Sequence, residues 1–307
     1  MKKSYLFAAT AIFFWSTVAT VAKLMLKDIN NFQLLWMTSI FAGVFLLIVN
    51  LVTGNIKKLR DYKPKDYLIS ALIGLPGTFF YYVFYYAGTG IMTEASQAFI
   101  INYLWPIMSV VFACILLGEK MTVRKIIAIL MSFAGVIIVV AGKGIGAIDK
   151  NTLIGAALCI LGAVSYGLFT GLNQKYFYDK GVSMMINYFV TFTLTTIINA
   201  VSGTLFVPTL AQIGGFAWNG IFTVAIANTA WAIALESGKT AKISNLAYIT
   251  PFLSLVWTFL ILGEKISVWS ILGLAVIVSG ILIQLADKKK QKAIIQNRNK
   301  NEIYIKE

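Results

Sequence analysis

One segment of this chain is written twice. Residues 104–140 read LWPIMSVVFACILLGEKMTVRKIIAILMSFAGVIIVV, and residues 249–285 read ITPFLSLVWTFLILGEKISVWSILGLAVIVSGILIQL. A constant offset of 145 superimposes Pro106 on Pro251, Ser109 on Ser254, Gly118-Glu119-Lys120 on Gly263-Glu264-Lys265, and Gly135 on Gly280. Each copy is an apolar stretch opened by a proline, a short charged turn, and a second apolar stretch. A duplicated unit of membrane-length segments, interrupted at matching positions, is the layout of a transporter built from two repeats.

Composition places that duplication in a bilayer. The 307 residues are 59% hydrophobic and 12% charged, against about 25% charged in a soluble domain. Apolar runs recur at the length of about 20 residues that an α-helix needs to cross hydrocarbon. The alternating segments of about 10 residues expected of membrane strands are missing. The fold class is therefore an all-α, multi-pass membrane protein. The first apolar segment is too long for a signal peptide and is expected to be retained. Cys114 and Cys159 both fall inside apolar spans and read as small packing residues. Histidine is absent, which removes the commonest proton shuttle and metal ligand. No metal cluster, nucleophile–base pair or phosphate loop is present, so neither an enzyme nor a cofactor is expected.

The pattern predicts ten transmembrane helices: about 5–26, 32–53, 67–89, 95–117, 122–141, 152–175, 182–206, 214–236, 242–262 and 267–286. With the N-terminus inside, 21 of the 26 lysines and arginines fall on the cytoplasmic side, so both termini are expected to be cytoplasmic. The net charge of +14 is thereby assigned to membrane orientation, and no nucleic-acid partner is expected. Ten spans in two repeats give five per repeat, and an odd number turns the second repeat upside down. The expected organisation is a first repeat at 1–142, an inverted second repeat at 152–286, and a basic cytoplasmic tail at 287–307 that rests on anionic lipid. Inverted repeats provide two near-equivalent packings, one open to each side. The oligomeric state stays open, and a monomer is compatible with the sequence.

Polar and aromatic groups inside the spans mark a candidate cavity. Span 4 carries Asn102, Tyr103 and Trp105 before Pro106; span 9 carries Asn245, Tyr248 and Thr250 before Pro251. The two prolines are candidate helix bends, because a mid-span proline frees a carbonyl one turn earlier. Irregular backbone at membrane depth persists only beside protein or a water-filled cavity. Asn102 and Asn245 suit the amino or carboxylate group of a ligand. Hydrogen bonding between helices, worth about 0.6 kcal/mol on average, is the other reading. In span 3, Tyr82, Tyr85 and Tyr86 share a helix face from which Tyr81 mostly departs. With Trp15, Tyr103, Trp105, Tyr166, Trp231 and Tyr248, the pair Tyr82 and Tyr86 forms an aromatic lining. No acidic residue lies deep in a span, and Lys23 sits near an outer end, so a neutral or zwitterionic cargo is expected. Glu119 and Glu264 read as turn charges. Ala128, Gly135, Gly273 and Gly280 read as close helix packing.

The repeated proline-to-Gly-Glu-Lys unit, the string Asn102-Tyr103-Leu104-Trp105-Pro106 and the span count resemble the EamA family of the drug/metabolite transporter superfamily, over residues 5–286. Within it, the string at 102–106 resembles that of YddG-type exporters of aromatic amino acids. The resemblance implies a ten-helix basket of inverted repeats in a bacterial cytoplasmic membrane, with a central cavity to which Tyr82, Tyr86, Tyr103, Trp105 and Tyr166 contribute. It implies export of a small molecule, an aromatic or other hydrophobic amino acid or a related metabolite, by alternating access. The alternatives are a carrier of S-adenosylmethionine, a nucleotide sugar, a drug or a lipid-linked sugar, and a membrane scaffold that transports nothing.

Overall fold

Apolar runs in a low-dielectric surrounding satisfy their backbone groups internally, and the described chain does so with helices. The computed structural model describes residues 2–142, 144, 148–176, 178–236 and 246–284. Among these, eight helices are long and apolar enough to cross a membrane: α1 (Lys3–Met25), α2 (Asn31–Val52), α3 (Pro64–Ile91), α4 (Ala95–Leu117), α5 (Val123–Ala141), α6 (Lys150–Lys175), α7 (Lys180–Val201) and α8 (Leu210–Trp231). Helical structure continues beyond α8 to Glu236. Two shorter apolar helices follow, α9 (Ala247–Leu262) and α10 (Val268–Gln284). The expected start of span 9 and the basic tail from 287 lie outside the described residues. Span 7 was expected to reach 206; α7 ends at Val201, where Ser202 closes the helix with backbone hydrogen bonds and Gly203 turns the chain at φ 63°.

The duplicated turn is duplicated in geometry. Gly118 and Gly263 take φ of 68° and 70°, a left-handed conformation that glycine adopts without a Cβ penalty. The next amides donate to matching carbonyls, Glu119 N to Ala113 O at 3.4 Å and Glu264 N to Thr258 O at 3.2 Å. The two glutamates then diverge. Glu264 accepts from the backbone N–H groups of Ala95 and Ser96 at 2.6 and 3.0 Å, so its carboxylate meets the positive end of α4. Glu119 accepts from Lys125 Nζ at 2.9 Å. Lys23 Nζ donates to the carbonyls of Thr89 (2.9 Å) and Met92 at the other side of the same α3–α4 connection. Its charge is directed at the carbonyl end of α3.

Matching helices pack against each other antiparallel. On α2, Asn50 Nδ2 donates to Gly181 O of α7 at 3.2 Å; on α7, Asn199 Nδ2 donates to Phe32 O of α2 at 3.3 Å. Each amide also bonds the carbonyl four residues before it at 2.8 Å. The two sets are images of one another, with an offset of 149 in place of 145. A Cβ on Gly135 of α5 would lie 2.6 Å from Gly273 O of α10, and one on Gly280 would lie 2.9 Å from Ala128 O. These two approaches also run in opposite chain directions, so α5 and α10 are antiparallel too. The glycines at the crossing do what small residues do in membranes, letting backbones touch.

The remaining helices interlock reciprocally. α1 packs on α8 and α9, and α6 packs on α3 and α4. Trp218 Nε1 donates to Thr17 Oγ1 and Trp257 Nε1 to Ser16 Oγ, both at 2.9 Å, fixing α1 to the second half. On α6, Gly162 and Gly167 lie close to Tyr81 and Met108 respectively. Two wide π-helical turns interrupt α3 at Pro76–Phe80 and α8 at Trp218–Ile226. The offset of 145 carries the first into the second. Pro76 lacks the N–H that a regular turn requires, which accounts for the first.

Candidate functional site

A cavity of about 150 Å³ lies where α1, α3, α4, α6, α8 and the start of α9 meet. Helix interruptions border it on both halves. In α4, regular helix ends at Asn102 and resumes at Trp105, with Pro106 in the first turn of the second piece. In α9, a 3₁₀ turn over Ala247–Ile249 leads into helix at Thr250, with Pro251 likewise in the first turn. Proline is tolerated there because the first turn has amides without intrahelical partners anyway.

Of the residues singled out from sequence, the structure brings Trp15, Tyr82, Asn102, Tyr103, Trp105, Tyr166 and Trp231 into the wall of this one cavity. Trp15 lies 5.3 Å from Trp231, centroid to centroid, pairing α1 with α8. Trp105 meets Tyr166 edge-on at 5.2 Å, pairing α4 with α6. Such offset and edge contacts are the favourable arrangements for aromatic quadrupoles. Tyr103 Oη donates to Ala247 O at 2.8 Å, tying the α4 interruption to the α9 one. Tyr86 does not reach the cavity. It is fully buried behind Tyr82, 5.2 Å from its ring. Tyr248 packs at the edge of the main core and is not in the wall. Asn245 lies outside the described residues.

The wall also contains residues that sequence patterning did not select. Tyr81 was expected mostly off the tyrosine face, yet it lines the cavity and accepts from Asn102 Nδ2 at 3.0 Å. Regular helix begins at Tyr81, and the cavity meets its first turn, Tyr81 and Tyr82, while Tyr85 and Tyr86 one turn on are fully buried. Thr223 and Asn228 come from α8, and Thr250 from α9. Asn228 stands three residues before Trp231, on the same helical face, and that spacing was the available signal. Among the described residues, every side chain in the wall is uncharged. Lys23, the cation nearest in sequence to Trp15, is engaged at the α3 C-terminus. The arrangement can stack a planar apolar group and hydrogen-bond a neutral polar one; for a net ionic charge its described residues offer no counter-ion.

Comparisons with known proteins agree in kind. The family model described as the EamA-like transporter family matches residues 2–141 and 153–286. An uncharacterized transporter of Clostridium kluyveri is 27% identical over 94% of this chain and 95% of its own length. The aromatic amino acid exporter YddG of Ancylobacter novellus is 26% identical over 80% of this chain and 84% of its own length. A crystal structure, 21% identical in sequence, superposes with a TM-score of 0.66 and covers 95% of this chain and 99% of the other. At that identity the superposition speaks for the fold alone.

Proposed function

The chain belongs to the EamA-like transporter family, a multi-pass membrane protein, and from that premise we propose that it exports small zwitterionic metabolites, foremost aromatic or other hydrophobic amino acids, by alternating access. The observation that carries this reading is the cavity between the halves, walled by aromatic rings and by uncharged hydrogen-bonding groups. A stacking wall favours a planar side chain. The lack of a charge among the described wall residues favours a cargo that is neutral overall, because an ion moved into low dielectric needs a partner. A volume of about 150 Å³ suits a cargo smaller than the drug-sized ligands that fill about 300–1,000 Å³. The relative named as an aromatic amino acid exporter supports the same cargo.

The proposal includes ten spans in two inverted repeats, residues 1–142 and 152–286, with both termini in the cytoplasm. The antiparallel pairing of matching helices, α2 with α7 and α5 with α10, supports inversion. Two repeats related by an axis in the membrane plane place their equivalent helices in opposite directions. Pro106 and Pro251 serve as the bends around which the halves exchange packings.

The test is counterflow in proteoliposomes against a panel of amino acids, with Trp105→Ala beside the wild type. The wild type is expected to exchange phenylalanine, tyrosine or tryptophan, and Trp105→Ala to lower that flux about tenfold, in the range of an aromatic contact plus its buried area. Unchanged aromatic flux in the variant would remove Trp105 from the site. Absence of aromatic flux in the wild type would remove the cargo.

A further inference from the structure

Among the described residues several buried polar atoms have no hydrogen-bond partner, and two of them belong to residues of the cavity wall: Asn102 Oδ1 and Thr250 Oγ1. Their residues are only 4% and 3% exposed. They come from opposite halves and flank the matching interruptions of α4 and α9. The side chain of Asn228, half-buried in the wall from α8, makes no hydrogen bond to a described residue. Unpaired amides and hydroxyls at membrane depth are costly, and here the side chains that carry them stand in the wall of one small cavity.

What each offers is different. Asn102 Nδ2 is engaged with Tyr81 Oη, so Asn102 presents an acceptor. Thr250 presents a hydroxyl, which donates or accepts. Asn228 presents two N–H donors and a carbonyl. An acceptor on the first half, among tyrosine and tryptophan faces that attract cations, is suited to an ammonium group. Two donors on the second half are suited to a carboxylate.

Resting on the amino-acid reading above, we infer that Asn102, Asn228 and Thr250 form the head-group site of the cargo. Asn102 Oδ1 takes the α-ammonium, and Asn228 Nδ2 with the Thr250 hydroxyl takes the α-carboxylate. The head group thus bridges the two halves while the side chain lies against the aromatic wall. The opposite charges of the zwitterion offset one another inside the cavity, which is why no charged residue is needed there.

Three probes separate the parts of the head group: L-phenylalanine, 2-phenylethylamine without the carboxylate, and 3-phenylpropionate without the ammonium. Each is measured as a competitor of labelled phenylalanine counterflow by the full chain, in wild type, Asn228→Asp, Thr250→Val and Asn102→Leu. Gel filtration confirms that each variant is folded. Asn228→Asp sets a carboxylate against the cargo's own and is expected to weaken phenylalanine about tenfold or more while sparing or improving 2-phenylethylamine. Thr250→Val should weaken phenylalanine and 3-phenylpropionate and spare 2-phenylethylamine. Asn102→Leu should weaken phenylalanine and 2-phenylethylamine and spare 3-phenylpropionate.

Loss of all three probes alike in the folded variants, or of none, overturns the assignment. Wild-type protein that carries no aromatic amino acid overturns the cargo instead. Quenching of tryptophan fluorescence by the three probes then reads the head-group site by itself, and equal responses in wild type and variants overturn it.

Discussion

At the scale of single residues, Asn50 and Asn199 show what a duplicated sequence fixes in three dimensions. Each is buried, each bonds the carbonyl four residues back, and each reaches the start of the other's helix. Asn50→Leu and Asn199→Leu are expected to destabilise the protein by similar amounts, about 0.6–1.7 kcal/mol each, measured by thermal unfolding in detergent. A large effect from one and none from the other would contradict the equivalence. Asp179 is a different case, set at a helix start outside the apolar spans. Partial burial pushes its carboxyl up, but the Lys58 ammonium at 2.6 Å and the Val182 amide outweigh that and hold it below the usual range. A carboxyl lowered on folding contributes stability above its unfolded value of about 3.9, and that contribution is lost as pH falls through the folded value. Asp179→Asn keeps the helix cap and removes the charge. Its melting temperature should fall below wild type at pH 7, and the gap should narrow progressively as pH falls below about 4.

At the scale of elements, the shared glycines and wide turns decide how helices meet. Gly135 and Gly273 each place a backbone carbonyl where the other's Cβ would be, at 2.6 Å. Gly135→Leu is expected to force α5 and α10 apart at a cost of about 1–3 kcal/mol, read as a lower melting temperature. Ile137→Leu, on the exposed face of the same helix, is the control expected to melt like wild type. The tyrosines of α3 depend on where along the span the cavity lies. It meets the first turn of the regular helix that begins at Tyr81, so Tyr81 and Tyr82 line it, while Tyr86, one turn on, stays buried behind. A shared face groups Tyr86 with Tyr82 and leaves Tyr81 out, because a helical wheel gives direction around the axis and not depth along it.

At the scale of the whole molecule, the two halves are interlocked and not merely adjacent. α1 belongs with α8 and α9, and α6 with α3 and α4, so each half lends its first helix to the other. Under the proposed alternating access, movement of one half would drag helices of both across the cavity. Inversion makes a prediction that is independent of cargo. In a background with Cys114 and Cys159 replaced, single cysteines at Lys120 and Lys265, equivalent positions of the repeated turn, should react with an impermeant maleimide from opposite sides of the membrane. Reaction from the same side would rule out the inverted arrangement and with it the proposed exchange of packings.

The sequence by itself determined the class of fold, the repeat, the places of the two Gly-Glu-Lys turns, and most of the aromatic wall. Each follows from local chemistry: run length against bilayer thickness, a charged turn between two apolar runs, and aromatic side chains at membrane depth. Tertiary structure alone decided that Lys23 serves α3, that Glu119 and Glu264 part company, and that Asn228 and Thr250 join Asn102 across the cavity. Those outcomes depend on which helix stands opposite which, and at what depth. A pattern along one chain carries neither, because a side chain's partner in a bundle is set by the packing of another helix.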